Sequence, residues 1–292
     1  MREGAVGVLG CGLMGSGIAE VAARAGHEVR VYEIDRTALE AGRDRVERSL
    51  ERGVGKEKLT PRERDAAVSR ISYGTDLRAL SDRDLVIEAV VEDLKIKTEL
   101  LRRLDAIAVP DTILASNTSS LSITEMAAAV HRTDRVIGLH FFNPVPVMRL
   151  VEIVRTIATS ERTTARVTEF ALGLGKEVIV VQDRPGFLVN RLLIPFILDA
   201  VRLLEAGAAS VAEIDRAMVL GCGHPMGPLT LCDFVGLDTV HRIAGIMYRE
   251  YRDARYAPPP LLNRLVVMGR YGKKSGAGFF DYSDRDPVPL RI

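Results

Sequence analysis

The stretch AVGVLGCGLMGSGIAEVAARAGHEVRVYEID, residues 5–35, constrains the fold of this chain more than any other. It contains Gly10-x-Gly12-x-x-Gly15. Such a spacing is weak by itself, and its surroundings decide what it means. Before it, Ala5–Leu9 is a short apolar run of the kind that forms a strand buried on both faces. After it, Ile18, Val21, Ala22 and Ala25 recur at helical spacing, and Gly26 sits where a helix ends. Val29–Tyr32 reads as a second strand that runs into Glu33. The pattern predicts strand, glycine turn, helix, strand and acidic residue in register.

Each part has a physical use in holding a dinucleotide. Gly10 permits a tight turn, Gly12 lets the backbone approach a pyrophosphate, and Gly15 lets helix and strand pack closely. Leu13 and Met14 open the helix, whose unpaired N–H groups and positive dipole end attract an anion. Glu33 can accept hydrogen bonds from the adenosine ribose. Its charge repels a 2′-phosphate and so favours NAD over NADP, although Arg36 lies close by. A flavin dinucleotide satisfies the same fingerprint, and a ligand-free glycine turn is the bland alternative.

Further strands are predicted at Ile71–Tyr73, Leu85–Ala89, Ile113–Ser116, Val136–Phe141, Leu150–Ile153 and Val178–Val181, with helices between most of them. One helix spans Lys95–Leu104. Another starts at Ser122, where S-x-x-E with Glu125 reads as a capping box. The alternation predicts the α/β class and a doubly wound, Rossmann-type sheet. Ligands gather at the carboxyl ends of such strands, which singles out Glu92, Asn117 to Ser120, and His140. Residues 36–70 read as a helical excursion: a helix over Asp35–Arg52, then a start at Thr60-Pro61-x-Glu63. The excursion carries Arg43, Arg45, Arg48, Arg52, Lys56 and Lys58. That charge is either a solvated face or a basic arm for an anionic part of a substrate.

Beyond Asp183-Arg184-Pro185-Gly186 the alternation stops. The next residues read as one long helix, apolar nearly all round, interrupted by Pro195 and ending at Gly207. More helices follow at about 211–219, 228–234, 236–251 and 258–269. The chain therefore divides into an α/β domain, 1–184, and an all-helical domain, 185–292. A helix without a polar face is buried in its own domain or against a partner, so the second domain is the expected dimerisation surface. The closing GKKSGAGFFDY is expected to pack back on the body.

The segment GLHFFNPVPVMRLVEIV, residues 138–154, places His140 and Glu152 in runs that otherwise look like core. Burying a carboxylate is costly unless it is paired. A strand, a proline-containing turn and a second strand can bring the two together. The carboxylate then fixes the tautomer of the imidazole and stabilises its protonated form, and the other ring nitrogen is left to exchange a proton. Beside a nicotinamide, that arrangement suits alcohol oxidation. Ser119 and Ser120 lack the G-x-S-x-G context of a hydrolase nucleophile. Asn190, in an apolar helix, is either a bonded core amide or a ligand contact.

The bulk properties exclude other classes. With 40 basic and 39 acidic residues, net charge +1, neither a nucleic acid nor an anionic membrane is called for. Cys11, Cys222 and Cys232 form no C-x-x-C, and with His224 they do not match a zinc spacing, so no metal is expected. The N-terminus lacks a signal-peptide core, and no apolar run reaches the length of a membrane span. A soluble cytoplasmic protein is expected.

The combination LGCGLMGSGIAEVAARAGHEV, VEDLKIK, ASNTSSLSI, GLHFFNPVPVMRLVEIV, DRPGFLVNRLL and GKKSGAGFFDY resembles the short-chain L-3-hydroxyacyl-CoA dehydrogenases, above all the bacterial 3-hydroxybutyryl-CoA enzymes. The resemblance implies an NAD-dependent oxidoreductase of fatty-acid and butanoate metabolism, acting on a short acyl-CoA and dimerising through its helical domain. It implies that His140 is the catalytic base, that Glu152 is its partner, and that Ser119 and Asn190 hydrogen-bond the substrate. It further implies that Glu33 holds the adenosine ribose, that Glu92, Lys97 and Asn117 contact the cofactor, and that Asn143 is a further polar position beside it. It places the helical excursion near the CoA nucleotide. Ala277 departs from the family's tail motif, which often has lysine there. A gulonate or lambda-crystallin type of hydroxy-acid dehydrogenase is the alternative on the same scaffold. A nucleotide-sensing protein without catalysis is disfavoured by the intact set of His140, Glu152, Ser119 and Asn190.

Overall fold

A computed structural model describes residues 4–284 and 286–290. The chain separates into two compact units, one ending at Arg184 and the other beginning at Pro185. In the first, β1 (Ala5–Leu9) leads through the glycine turn into α1 (Leu13–Arg24) and back into β2 (Glu28–Tyr32). The excursion follows as α2 (Arg36–Gly55) and α3 (Pro61–Ser69). Then come β3 (Ile71–Gly74), β4 (Leu85–Glu88), α4 (Leu94–Asp105), β5 (Ile113–Ser116) and α5 (Ile123–Ala127). The unit closes with β6 (Val136–Phe141), β7 (Leu150–Arg155), α6 (Glu161–Gly173) and β8 (Glu177–Gln182).

The helix starts follow local chemistry. Asp35 caps α2 by accepting from Ala38 N–H, and Thr60 and Glu63 form a reciprocal capping box ahead of Pro61. At α5, Ser122 accepts from Glu125 N–H as expected. The acceptor that faces this helix start is Asp183, which takes hydrogen bonds from Thr124 N–H, Thr124 Oγ1 and Ser122 Oγ. A residue distant in sequence thus serves where the S-x-x-E pattern pointed to Glu125.

The eight strands form one sheet in the order β3-β2-β1-β4-β5-β6-β7-β8. Neighbours pair in parallel except β6 and β7, which are antiparallel. The first six strands are the doubly wound order, with its switch between β1 and β4. The central strands are fully buried, as a sheet covered on both faces requires. The β6–β7 register sets His140 directly opposite Glu152.

The second unit is helical: α7 (Val189–Glu205), α8 (Val211–Cys222), α9 (Pro228–Val235), α10 (Leu237–Tyr251) and α11 (Pro260–Val267). Helix α7 continues through Pro195 and ends before Gly207, whose φ is +68°. It is less uniformly buried than its composition implies: Ile194, Ile197, Leu198 and Val201 face the core, whereas Leu192 is 69% exposed. Helix α9 begins at Gly227, which offers no side-chain cap. Asp215 of α8 supplies the missing acceptor, bonding Leu229 N–H, Thr230 N–H and Thr230 Oγ1. The glycine-rich tail docks on a second acidic hub. Asp233, 1% exposed, accepts from Phe279 N–H, Phe280 N–H and Tyr282 Oη. Burial pushes its carboxyl pKa up, against the lowering effect of these three donors.

Removing that acceptor leaves two buried N–H groups and a phenol unpaired. Asp233→Ala is expected to destabilise the protein by ~2–4 kcal/mol, read as a lower midpoint in urea unfolding. An unchanged midpoint would show that the tail is held by its apolar contacts alone.

Candidate active site

The glycine turn has the shape its sequence predicts. Gly10 has φ +86°, open to glycine at little cost, and its N–H donates to Tyr32 O. A Cβ on Gly15 would stand 1.9 Å from Gly10 O, so α1 lies against the turn only because position 15 has no side chain. Gly12 differs. A Cβ there would meet nothing within 4 Å, and it caps α1 without a side chain of its own. The open space in front of Gly12, at the N-terminus of a helix of 12 residues, is what a pyrophosphate needs. Leu13 is exposed beside it and Met14 packs against the core cluster. Glu33, at the end of β2, accepts from Cys11 N–H and Ile34 N–H, so its carboxylate lies against the turn. Burial, followed in size by the nearby Glu33 charge, pushes the Cys11 thiol up to about 12 and keeps it neutral.

On the other side of the switch, His140 Nδ1 lies 2.7 Å from Glu152 Oε2. Both are buried, at 5% and 0% exposure. The antiparallel pairing puts them on one face of adjacent strands, so the chain direction of β7 creates the contact. With Nδ1 on the carboxylate, proton exchange by this imidazole would go through Nε2. The ring of Phe142 packs on the imidazole at 4.5 Å between centroids and limits its rotation. The turn between β6 and β7, which includes a cis Asn143–Pro144 bond, carries Asn143 in an exposed position.

The loop after β5 is tied to both neighbours. Asn117 Oδ1 accepts from Phe141 N–H at 2.9 Å, and Asn117 N–H donates to Glu88 O. Glu92 accepts from Thr118 Oγ1, Ser119 N–H and Ser119 Oγ. Its ionised form is thereby favoured. Burial raises the Glu92 pKa, but the Lys97 charge and the Thr118 and Ser119 donors outweigh it and hold the carboxyl below its usual range. Lys97 is 1% exposed, and its ammonium contacts Glu88 Oε1 (2.7 Å), Glu92 Oε2 (3.2 Å) and Val90 O (3.4 Å). With three protons on three protein oxygens, Lys97 bears on the site through Glu92 and Glu88. Glu88, absent from the expected site residues, is fully buried and also accepts from Ser116 Oγ and Val90 N–H. Only its position at the end of an apolar strand marked it in the sequence.

The basic excursion meets the same unit. Arg45, Arg48 and Arg52 line a cavity of about 180 Å³ with Ser16, Asn143 and Pro146, and Arg45 donates to Cys11 O. In the helical unit, Asn190 occupies the first turn of α7 and is half-buried. The turn before it is fixed by Tyr251 Oη donating to Pro185 O and by Arg191 stacked 4.8 Å above the Tyr251 ring. All three cysteines are free thiols. Among the described residues no group of three or more His, Cys, Asp or Glu is placed to hold a metal, and no helix is long and apolar enough to cross a membrane.

Comparison with known proteins extends this picture. Residues 5–184 match the family described as 3-hydroxyacyl-CoA dehydrogenase, NAD binding domain, and residues 186–282 match the C-terminal domain of the same family. The 3-hydroxybutyryl-CoA dehydrogenase of Mycobacterium tuberculosis is 55% identical over 279 residues, 95% of this chain and 98% of that protein. The mitochondrial hydroxyacyl-coenzyme A dehydrogenase of Sus scrofa is 48% identical, over 95% of this chain and 90% of its own. The crystal structure of (S)-3-hydroxybutyryl-CoA dehydrogenase from Ralstonia eutropha superposes with a TM-score of 0.92 at 45% identity, covering 96% of this chain and 99% of that one.

The second and third glycines of the turn separate fold from binding. Gly15→Ala is expected to lower stability, because the turn must shift. Gly12→Ala is expected to leave the thermal midpoint unchanged and to weaken NAD binding by at least about tenfold, as its methyl enters the pyrophosphate space. Calorimetric titration beside a thermal melt of each variant tests this. Equal NAD affinity in Gly12→Ala and wild type would place the pyrophosphate elsewhere.

Proposed function

The chain belongs to the 3-hydroxyacyl-CoA dehydrogenase family, and from that we infer that it is an NAD-dependent oxidoreductase interconverting (S)-3-hydroxyacyl-CoA and 3-oxoacyl-CoA, with short acyl chains such as 3-hydroxybutyryl. One observation carries the chemistry. A buried His–Glu pair lies at the carboxyl edge of the sheet whose first turn has the room and the helix terminus for a dinucleotide.

In this reading NAD supplies a hydride acceptor when bound. The chain's residues do the rest. His140 Nε2 takes the proton of the 3-hydroxyl as the carbon beneath it is oxidised, and returns it in the reverse direction. Glu152 holds Nδ1–H, fixes the tautomer and balances the charge that appears on the imidazole. Ser119, presented by the Glu92-anchored loop, and Asn190, from α7, donate to the substrate oxygens and favour the polarised carbonyl. Gly10, Gly12, Leu13, Met14 and Gly15 receive the pyrophosphate, and Glu33 the adenosine ribose. Glu92 faces the nicotinamide half. Asn117 holds the loop in place, and Asn143 adds a polar group at its rim. The arginines beside the β6–β7 turn face the phosphates of CoA. The helical unit forms a homodimer, and the three free thiols fit a reducing cytoplasm.

His140→Ala is expected to lower turnover of 3-hydroxybutyryl-CoA by about 10²–10⁴-fold while NAD affinity stays near wild type. Wild-type turnover in that variant would remove His140 from the mechanism. Glu152→Gln should cost at least about tenfold and alter the pH–rate profile. A profile superimposable on wild type would overturn the pairing role. Acetoacetyl-CoA reduction with NADH, run beside gulonate oxidation with NAD, distinguishes the acyl-CoA enzyme from a hydroxy-acid dehydrogenase.

A further inference from the structure

We propose that the buried Glu88–Lys97–Glu92 cluster tunes the preference of the site for oxidised over reduced nicotinamide, by holding a net formal charge of −1 behind the nicotinamide half of the cofactor groove. The inference rests on the NAD reading above and adds to it a role for Glu88 and Lys97.

The charge count follows from the contacts. Lys97 Nζ is 2.7 Å from Glu88 and 3.2 Å from Glu92, and among the described residues it is the one cation in an ion pair with either. The other partners of the two carboxylates are neutral donors: Ser116 Oγ, Val90 N–H, Thr118 Oγ1 and the N–H and Oγ of Ser119. One ammonium needs one carboxylate. A glutamine at position 88 could accept from Lys97 and donate to Ser116 at the same volume, so hydrogen bonding alone does not call for the second charge. Side-chain exposures of 0%, 1% and 14% for Glu88, Lys97 and Glu92 keep solvent from screening it.

The position follows from the topology. In a sheet of this order the cofactor groove crosses the switch between β1 and β4. Glu33, just after β2, marks the adenosine side. The nicotinamide side is then that of β4 to β6, where Glu92 lies at the mouth of the cluster. Glu92 holds Ser119, and Asn117 bonds Phe141 beside His140. The oxidised ring is cationic and the reduced ring neutral, so a fixed negative charge there stabilises the oxidised form selectively. When hydride passes to a 3-oxo carbon and protonated His140 gives its proton to the resulting oxygen, the ring becomes cationic. The cluster therefore favours the reducing direction on the enzyme.

The test is calorimetric titration of the full chain with NAD+ and with NADH. Glu88→Gln is expected to raise the ratio Kd(NAD+)/Kd(NADH) by about three- to tenfold, the effect of one charge at roughly 10 Å in a partly solvated site. Glu92→Gln should move the ratio the same way, since any other contact with the cofactor lost in that variant is common to both forms. Glu88→Gln combined with Lys97→Met restores the net charge of −1 and should return the ratio toward wild type, which a purely structural role would not do. Glu99→Gln, at an exposed site on α4, is the control. Ratios in Glu88→Gln and Glu92→Gln within about twofold of wild type, or no return in the double variant, would overturn the proposal. Should Glu88→Gln fail to fold in a thermal melt, Glu92→Gln decides. Wild-type protein that binds neither NAD+ nor NADH would overturn the NAD reading instead.

Discussion

A carboxylate with no solvent exposure has to find a partner, and Glu152 finds it in the histidine directly across the strand. The pair forms because β7 runs antiparallel to β6 in a sheet otherwise wound in parallel. Had the chain continued the parallel pattern, a crossover would have carried residue 152 far from residue 140. Reversing after a short proline-rich turn keeps both on one face, at one register position, with Nδ1 and Oε2 at hydrogen-bond distance. The topological irregularity and the chemistry are therefore one feature.

Around that pair, the loops at the carboxyl edge are held by polar contacts rather than by apolar packing. Asn117 links β5 to the residue after His140. Glu92 gathers Thr118 and Ser119, and Lys97 draws Glu92 toward Glu88. Such a network is rigid only when each member is satisfied. For the proposed reaction rigidity matters, because the base must reach the hydroxyl while the hydride acceptor faces the carbon that bears it. The glycine turn solves the opposite problem. It keeps space open at Gly12 while closing it at Gly15.

The helical unit is organised by two buried aspartates that bond backbone from elsewhere in the chain. Asp215 caps a helix whose own first residue cannot, and Asp233 receives the glycine-rich tail. Gly227, Gly272 and Gly278 lie so close to these two residues that a Cβ at any of them would stand within 2.3 Å of an aspartate atom. These glycines are thus sites of close approach, and the two in the tail let it pack back on the body.

What the sequence determined by itself is what neighbouring residues decide. Strand, glycine turn and helix at residues 5–24 follow from backbone sterics and a period of 3.6. The starts at Asp35 and Thr60 follow from side chains three residues from the N–H groups they cap. The strands at 113–116 and 136–141 were legible because parallel strands buried on both faces are continuous apolar runs. His140 and Glu152 stood out because they interrupt such runs. Beyond that pair, which buried charges would meet was not local information. Glu88 looks like an ordinary polar strand end until α4 returns Lys97 above it. The S-x-x-E pattern pointed to Glu125 at the start of α5, and only the placement of β8 brought Asp183 there. Strand order and the caps supplied by Asp183 and Asp215 were decided only by tertiary structure. A buried donor requires an acceptor but does not specify which one, and the packed sheet and helices leave a single group within reach.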